Sequence, residues 1–291
     1  MLPRGAKSET LDQFEALLLA RECPADALRV ARTPTGDLHA GIVVPSPGAV
    51  GMLVLSALTG PGAASTAAAV AHDAVAVAFA NNVQLVQMLI QPDDTLHGAC
   101  LRDAGFRVLA SLHTMERTVP HRLLPEPRQL RNQSPDDAVT LVPCLDLPTS
   151  RVAAALESTY AGTQDCPGLL GLRTATDTLA GHRATGEPLP ELWSLVQVDG
   201  QDAGVLFVSR QRDCCDLIYT GLIPEARGRG LGMWLLRTML STLRQGGHKR
   251  IRLCVDSSNE PALALYRTLG FTVRATTLAL IATPEDVQAT R

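Results

Sequence analysis

Asp216-Leu217-Ile218-Tyr219-Thr220-Gly221-Leu222-Ile223, followed after three residues by Arg227-Gly228-Arg229-Gly230-Leu231-Gly232, is the stretch that decides the fold. Its first part is an apolar run that reads as a strand. Glycines at 228, 230 and 232 let the backbone come close to a ligand and take torsions that other residues resist. Beyond them Trp234-Leu235-Leu236, Met239-Leu240 and Leu243 recur at helical spacing. The glycines therefore stand at a helix N-terminus, where unpartnered N–H groups and the positive end of the helix dipole suit a phosphate. Arg227 and Arg229 add charge. From Glu225 to Arg252 there are seven basic residues and one acid, in a chain of net charge −3. A basic segment in a mildly acidic protein points to one anionic ligand and away from nucleic acid at large.

A second strand and helix follow. Ile251-Arg252-Leu253-Cys254-Val255 is the strand, and Asn259-Glu260-Pro261-Ala262-Leu263-Ala264-Leu265-Tyr266-Arg267-Thr268-Leu269-Gly270-Phe271 the helix with its exit turn. Working backward, Leu192–Val198 and Ala203–Ser209 read as a hairpin around Asp199-Gly200, and Ala138–Val142 as an earlier strand.

Residues 216–271 resemble the core of the GCN5-related N-acetyltransferase superfamily. Two of its patterns stand here in order, R/Q-x-x-G-x-G/A at 227–232 and N-x-x-A-x-x-L-Y-x-x-x-G-F at 259–271. The resemblance implies an α/β fold with a mixed sheet, an acyl-CoA donor (acetyl-CoA as co-substrate) and direct transfer to a primary amine of a small molecule. In such proteins the strand before the loop splays from the strand before the tyrosine helix, and the pantetheine arm fills the gap. By match, Leu222 and Ile223 supply backbone contacts. Arg227, Gly228, Arg229, Gly230, Leu231 and Gly232 hold the pyrophosphate, and Asn259 bonds the pantetheine arm. Tyr266 gives a proton to the departing thiolate, which leaves more readily as a thiol. Asp216, eleven positions before Arg227, stands at the spacing of a strand glutamate that acts as base in one branch of the superfamily. Glu157, Asp165 and His182 lie in segments that shape the acceptor pocket. Gly162–Pro190 is long enough to cover that pocket, which favours a small acceptor.

The chain also repeats itself. A shift of 165 residues brings Gly270-Phe271 onto Gly105-Phe106 and Ile251–Val255 onto Val86–Ile90. The same shift puts Arg227–Gly232 on Gly62–Ala67, Asn259 on Asp94 and Tyr266 on Leu101, and residues 60–87 contain no Lys or Arg. Two tandem domains of the same class are expected, each a central twisted mixed sheet flanked by helices. Residues 1–130 would be a degenerate copy without a CoA loop, and 131–291 the catalytic copy. The proline-rich Pro120–Asp137 reads as the linker. Within the superfamily, a degenerate first copy resembles the arrangement of mycothiol synthases.

With 291 residues, 46% apolar and 19% charged, the chain has ordinary globular composition and the length for two domains. Its seven cysteines show no C-x-x-C pair and no histidines at zinc spacing, so reduced thiols, a cytoplasmic location and no metal are expected. The short apolar stretch Ala16–Ala20 does not make a secretory signal. Ala63–Ala80 is apolar, but His72 and Asp73 interrupt it, so it reads as a buried helix and no membrane partner is expected. Two competing functions are a CoA-binding regulatory module without catalysis and a peptide or protein N-acetyltransferase. Retention of Tyr266, Asn259 and the full glycine loop opposes the first. Oligomeric state is not legible.

Overall fold

A computed structural model describes Cys23, residues 27–119 and residues 139–289. The linker, the expected boundary near residue 130 and the stretch Ala16–Ala20 lie outside the described residues. In chain order the first elements are β1 (Arg29–Arg32), β2 (Leu38–Ser46), β3 (Val50–Leu55), α1 (Ala63–Ala80), β4 (Leu85–Ile90), α2 (Thr95–Asp103) and β5 (Arg107–Thr118). Then come β6 (Val139–Pro143), α3 (Thr149–Ser158), α4 (Ala175–Arg183), β7 (Glu187–Val198), β8 (Gln201–Arg210), β9 (Cys215–Leu222), α5 (Leu231–Gln245), β10 (Arg250–Asp256), α6 (Glu260–Thr268), β11 (Thr272–Ala282) and α7 (Pro284–Gln288).

Two compact units result, and neither is a continuous half of the chain. One comprises Met1–Ser111, Gly171–Arg173 and Thr277–Arg291; the other comprises Leu112–Leu170 and Thr174–Thr276. In the first unit the strand order is β1-β2-β3-β4-β11. The alanine-rich α1 is its core helix, with Ala67, Ala71, Ala74 and Val75 packed against Val43, Leu53, Leu55 and Val86. Small side chains let it lie close to the sheet: Gly41 of β2 sits directly beneath Val70. By length and composition α1 passes for a membrane span, but this packed face identifies it as the buried helix its sequence suggests.

The second unit has the order β5-β10-β9-β8-β7-β6. On one face Leu235, Leu236, Met239, Leu240 and Leu243 of α5 bury against Ile251, Leu253 and Val255 of β10. Their spacing draws one apolar stripe along the helix. Each such side chain withdrawn from water contributes about 1.5–3 kcal/mol. On the other face Val152 and Leu156 of α3 and Leu179 of α4 cover Trp193, Leu195, Val205 and Phe207. Asp199 and Gly200 close the β7–β8 hairpin with φ of +52° and +76°, the left-handed pair that a two-residue turn needs.

The repeat is visible element by element. α2 and α6, and the strands that follow them, are offset by the same 165 residues, and Asp94 and Asn259 cap those helices alike. Each half, however, contributes its last strand to the other unit. Leu112–Thr118 of β5 pairs antiparallel with β10, whereas Leu278–Ala282 of β11 pairs with β4. Met115 of β5 is fully buried in the second unit's core, and Arg117 donates to the Leu269 carbonyl at the end of α6. Residues 139–291 expressed alone would leave β10 as a bare edge over an opened core, a state prone to association. We expect that fragment to show no cooperative thermal transition by circular dichroism, where the full chain shows one. A soluble, cooperatively folding fragment would mean the exchanged strand is dispensable.

The turn before α1 departs from the expected alignment. Gly62, not Ser65, holds Gly230's place: each is the N-cap of its helix, with φ of +77° and +79°. Gly60 and Gly228 precede them with φ of +86° and +73°. The first unit thus keeps the spaced glycines that a 165-residue shift hides. α1 has 18 residues against 15 in α5, three more, so the loop aligns at a shift of 168. Asp37 nonetheless lies against Gly60 and Pro34 against Gly62, so the β1–β2 turn and a carboxylate take the space that a phosphate would need.

Candidate active site

β9 and β10 run parallel, but their pairing covers only Cys215–Leu217 against Ile251–Leu253. The cause is local. Opposite β8 the register slips between Phe207–Tyr219 and Val208–Leu217, leaving Ile218 as a bulge. A bulge bends and twists its strand, and β9 leaves β10 at that point. Between the parted strands opens a cavity of about 320 Å³, with Tyr219, Thr220, Gly221 and Leu222 on one wall and Cys254 and Val255 on the other.

At one end of the cavity stands the glycine turn. Gly228 and Gly232 line it, and Gly230 caps α5. Built Cβ atoms on Gly228 and Gly230 would meet nothing within 4 Å, and no side chain caps the helix. The cradle is open, and no cap competes for the N–H groups of the first turn of α5.

Arg227 does something the motif did not suggest. Its guanidinium donates to three main-chain carbonyls: Leu222 at 3.0 Å, Gly162 at 3.2 Å and Thr159 at 2.8 Å. It clamps the segment after α3 onto the end of β9. Tyr219 supports the same segment, its hydroxyl 2.8 Å from the buried Thr159 hydroxyl. His182 lies behind Tyr219, the rings stacked 5.5 Å apart. Glu157 is on the exposed side of α3 and does not line the cavity.

Tyr266 and Asn259 come to the cavity from α6. Asn259 accepts from the Ala262 N–H at 3.2 Å as N-cap. The Tyr266 ring packs edge-on to Phe271, and its hydroxyl has no partner among the described residues. Burial first, then the charge of Asp165 and the neighbouring Tyr219, raise its pKa well above the ordinary phenol value. The phenol is therefore protonated at neutral pH, the form a proton donor needs. Cys254, also on the wall, has its thiol raised by desolvation and by Asp165. A thiol held in that form is a poor nucleophile.

The site residues read from sequence divide. Leu222, Arg227, Gly228, Gly232, Asn259 and Tyr266 gather at the cavity; Ile223, Arg229, Gly230 and Leu231 flank it without lining it. Asp216 is elsewhere. It sits in the paired part of β9, and Arg252 grips both its oxygens at 2.8 Å. Thr159, Tyr219 and Cys254 carried no motif and entered the site only through the fold. Their neighbour Asp165, one of three candidates in the acceptor segments, is the one that lines the cavity.

A strand pair parted over an open glycine cradle is the arrangement the sequence resemblance implies, and residues 164–271 match the Acetyltransferase (GNAT) family. That match covers residues 164–271 and not the remainder of the chain. Mycothiol acetyltransferase of Thermomonospora curvata is 40% identical over 79 residues, 27% of this chain and 27% of that protein. The match thus spans about a quarter of the relative's length. A GCN5-related N-acetyltransferase from Sphaerobacter thermophilus superposes with a TM-score of 0.58 at 18% identity, over 96% of this chain and 86% of the other. A tandem GNAT protein from the clavulanic acid biosynthesis pathway superposes with a TM-score of 0.51 at 14% identity, over 95% of both chains. Both share the fold.

Proposed function

We propose that this protein moves an acetyl group from acetyl-CoA to the primary amine of a small molecule by direct transfer. The observation that carries this reading is one cavity with an open anion cradle at its end and an unpartnered, protonated phenol on its wall. The cradle suits the pyrophosphate, and the gap between β9 and β10 suits the pantetheine arm. Leu222 and Asn259 stand along that gap, and the Arg227 clamp shapes its entrance. Attack by the amine nitrogen on the thioester carbonyl expels a thiolate, which Tyr266 protonates. The raised Cys254 thiol favours direct transfer over an acyl-cysteine intermediate. Asp216, held by Arg252, is a structural ion pair in this reading. Holding thioester and amine together supplies much of the rate by orientation alone.

Titration calorimetry with CoA should give one site per chain, because the first unit's cradle is closed by Asp37 and Pro34. Thiol release from acetyl-CoA should depend on an added amine. Two equivalent CoA sites, or thiol release with no amine requirement, would refute this reading.

A further inference from the structure

Among the described residues, Asp165 is the only acid that lines the cavity. It is held there from two directions. One oxygen accepts the Asp256 N–H of β10 at 2.8 Å, and the Asn259 side chain of α6 donates to the carboxylate. The neighbouring Asp256 differs in both respects. It is buried, does not line the cavity, and already accepts the Cys166 N–H at 3.2 Å and the Ser258 N–H and hydroxyl at 2.9 and 2.8 Å. A carboxylate has about four acceptor positions, so Asp165 with two donors has room for more. No cation among the described residues forms an ion pair with it. Among the described residues, the sole cation on the cavity wall, Arg227, is bound to three carbonyls.

A half-buried carboxylate without a counter-ion, facing a cavity beside a protonated phenol, is complementary to an incoming ammonium. We propose that Asp165 receives the acceptor's amine, first as counter-ion to the ammonium and then as the base that takes its proton. This rests on the acetyl-transfer reading above and narrows its acceptor to an amine that arrives charged.

The step balances. Asp165 takes one proton from the ammonium, and the freed lone pair attacks the thioester carbon. As the tetrahedral adduct collapses, the C–S bond breaks and Tyr266 protonates the thiolate. The second proton on nitrogen restores Tyr266, and Asp165 releases the first to solvent. The net products are the amide, CoA thiol and one proton. Asp256, Cys166, Cys254, Tyr219 and Tyr266 surround Asp165, and of these the like charge of Asp256 raises its pKa. Burial, the largest cause, raises its pKa, while the N–H bond from Asp256 and the Asn259 amide oppose the rise. Asp165 is therefore a better proton acceptor than a solvated carboxylate.

The test uses the full-length chain, acetyl-CoA and a panel of primary amines that includes aminosugars, alkylamines and cysteinyl amines. Asp165→Asn keeps the shape and the acceptor for the Asp256 N–H. It should lower kcat/KM for the best amine by roughly 10²–10⁴-fold with CoA affinity unchanged. The acid limb of the wild-type kcat/KM profile, lying above the ordinary carboxylate range, should vanish in Asp165→Asn and persist in Asp165→Glu. An Asp165→Asn protein within threefold (about 0.65 kcal/mol) of wild type and keeping that limb would overturn the assignment. So would a parallel loss of CoA affinity, which would make Asp165 a strut of the loop. Wild-type protein that acetylates no amine would refute the acetyl-transfer reading itself, before any variant is made.

Discussion

A Tyr266→Phe protein should bind CoA with unchanged affinity and turn over its amine substrate about 10²–10⁴-fold more slowly. The substitution removes one hydroxyl, and that hydroxyl makes no bond to the described residues. The ring keeps its packing against Phe271 and its place in the core with Leu263 and Val255. Stability should therefore change little, and lost rate reports lost proton donation. The sign of the pKa shift matters here. Raised by burial and by Asp165, the phenol is protonated across the working pH range, so its own ionisation should produce no alkaline limb near neutrality. Steady-state kinetics with calorimetry separates the two quantities. Wild-type turnover in Tyr266→Phe would mean that another donor protonates the thiolate and the tyrosine only packs.

Gly230→Val should raise the Kd for CoA at least about thirtyfold, equivalent to ~2 kcal/mol. At φ +79° an L residue is strained, and a β-branched one most of all. The left-handed conformation costs roughly 1–2 kcal/mol, which a two-unit fold can absorb. No protein atom lies within 4 Å of the new Cβ, so the side chain intrudes on the cradle and not on the core. The first unit contains its own control. Gly62 caps α1 with φ +77°, so Gly62→Val should bring a comparable backbone cost yet leave CoA affinity intact. Thermal melts should place the two variants close together, while calorimetry should separate them. Equal CoA affinity in folded Gly230→Val and wild type would show that the cradle lies elsewhere.

Local chemistry was legible in the residues themselves. Glycine at 228 and 230, the apolar stripe of α5, the Asn259 cap and the Asp199-Gly200 turn are each set by neighbours within a few positions. Short-range torsional and capping preferences therefore announce them. The duplication was legible for the same reason, since α2 and α6 preserve one spacing and one cap. The loop of the first unit was misaligned because a three-residue length change erases a fixed shift without disturbing the torsions that make the turn.

What only the tertiary structure decided is long-range. The exchange of β5 and β11 joins residues more than a hundred positions apart, such as Met115 with Leu253, and no periodicity encodes which of two similar edges a strand selects. Asp216 had the spacing of a base, yet its register partner on β10 is Arg252, and a carboxylate gripped at both oxygens is an ion pair. Arg227 had the position of a phosphate ligand, yet carbonyls from 159 and 162 reach it first. Asp165 had no motif at all. It lines the cavity because a backbone N–H ninety-one positions away and the Asn259 amide hold it there. Motif spacing reports which backbone can cradle an anion; whether a charged side chain is neutralised or left facing a cavity depends on partners that only the folded chain brings within hydrogen-bonding distance.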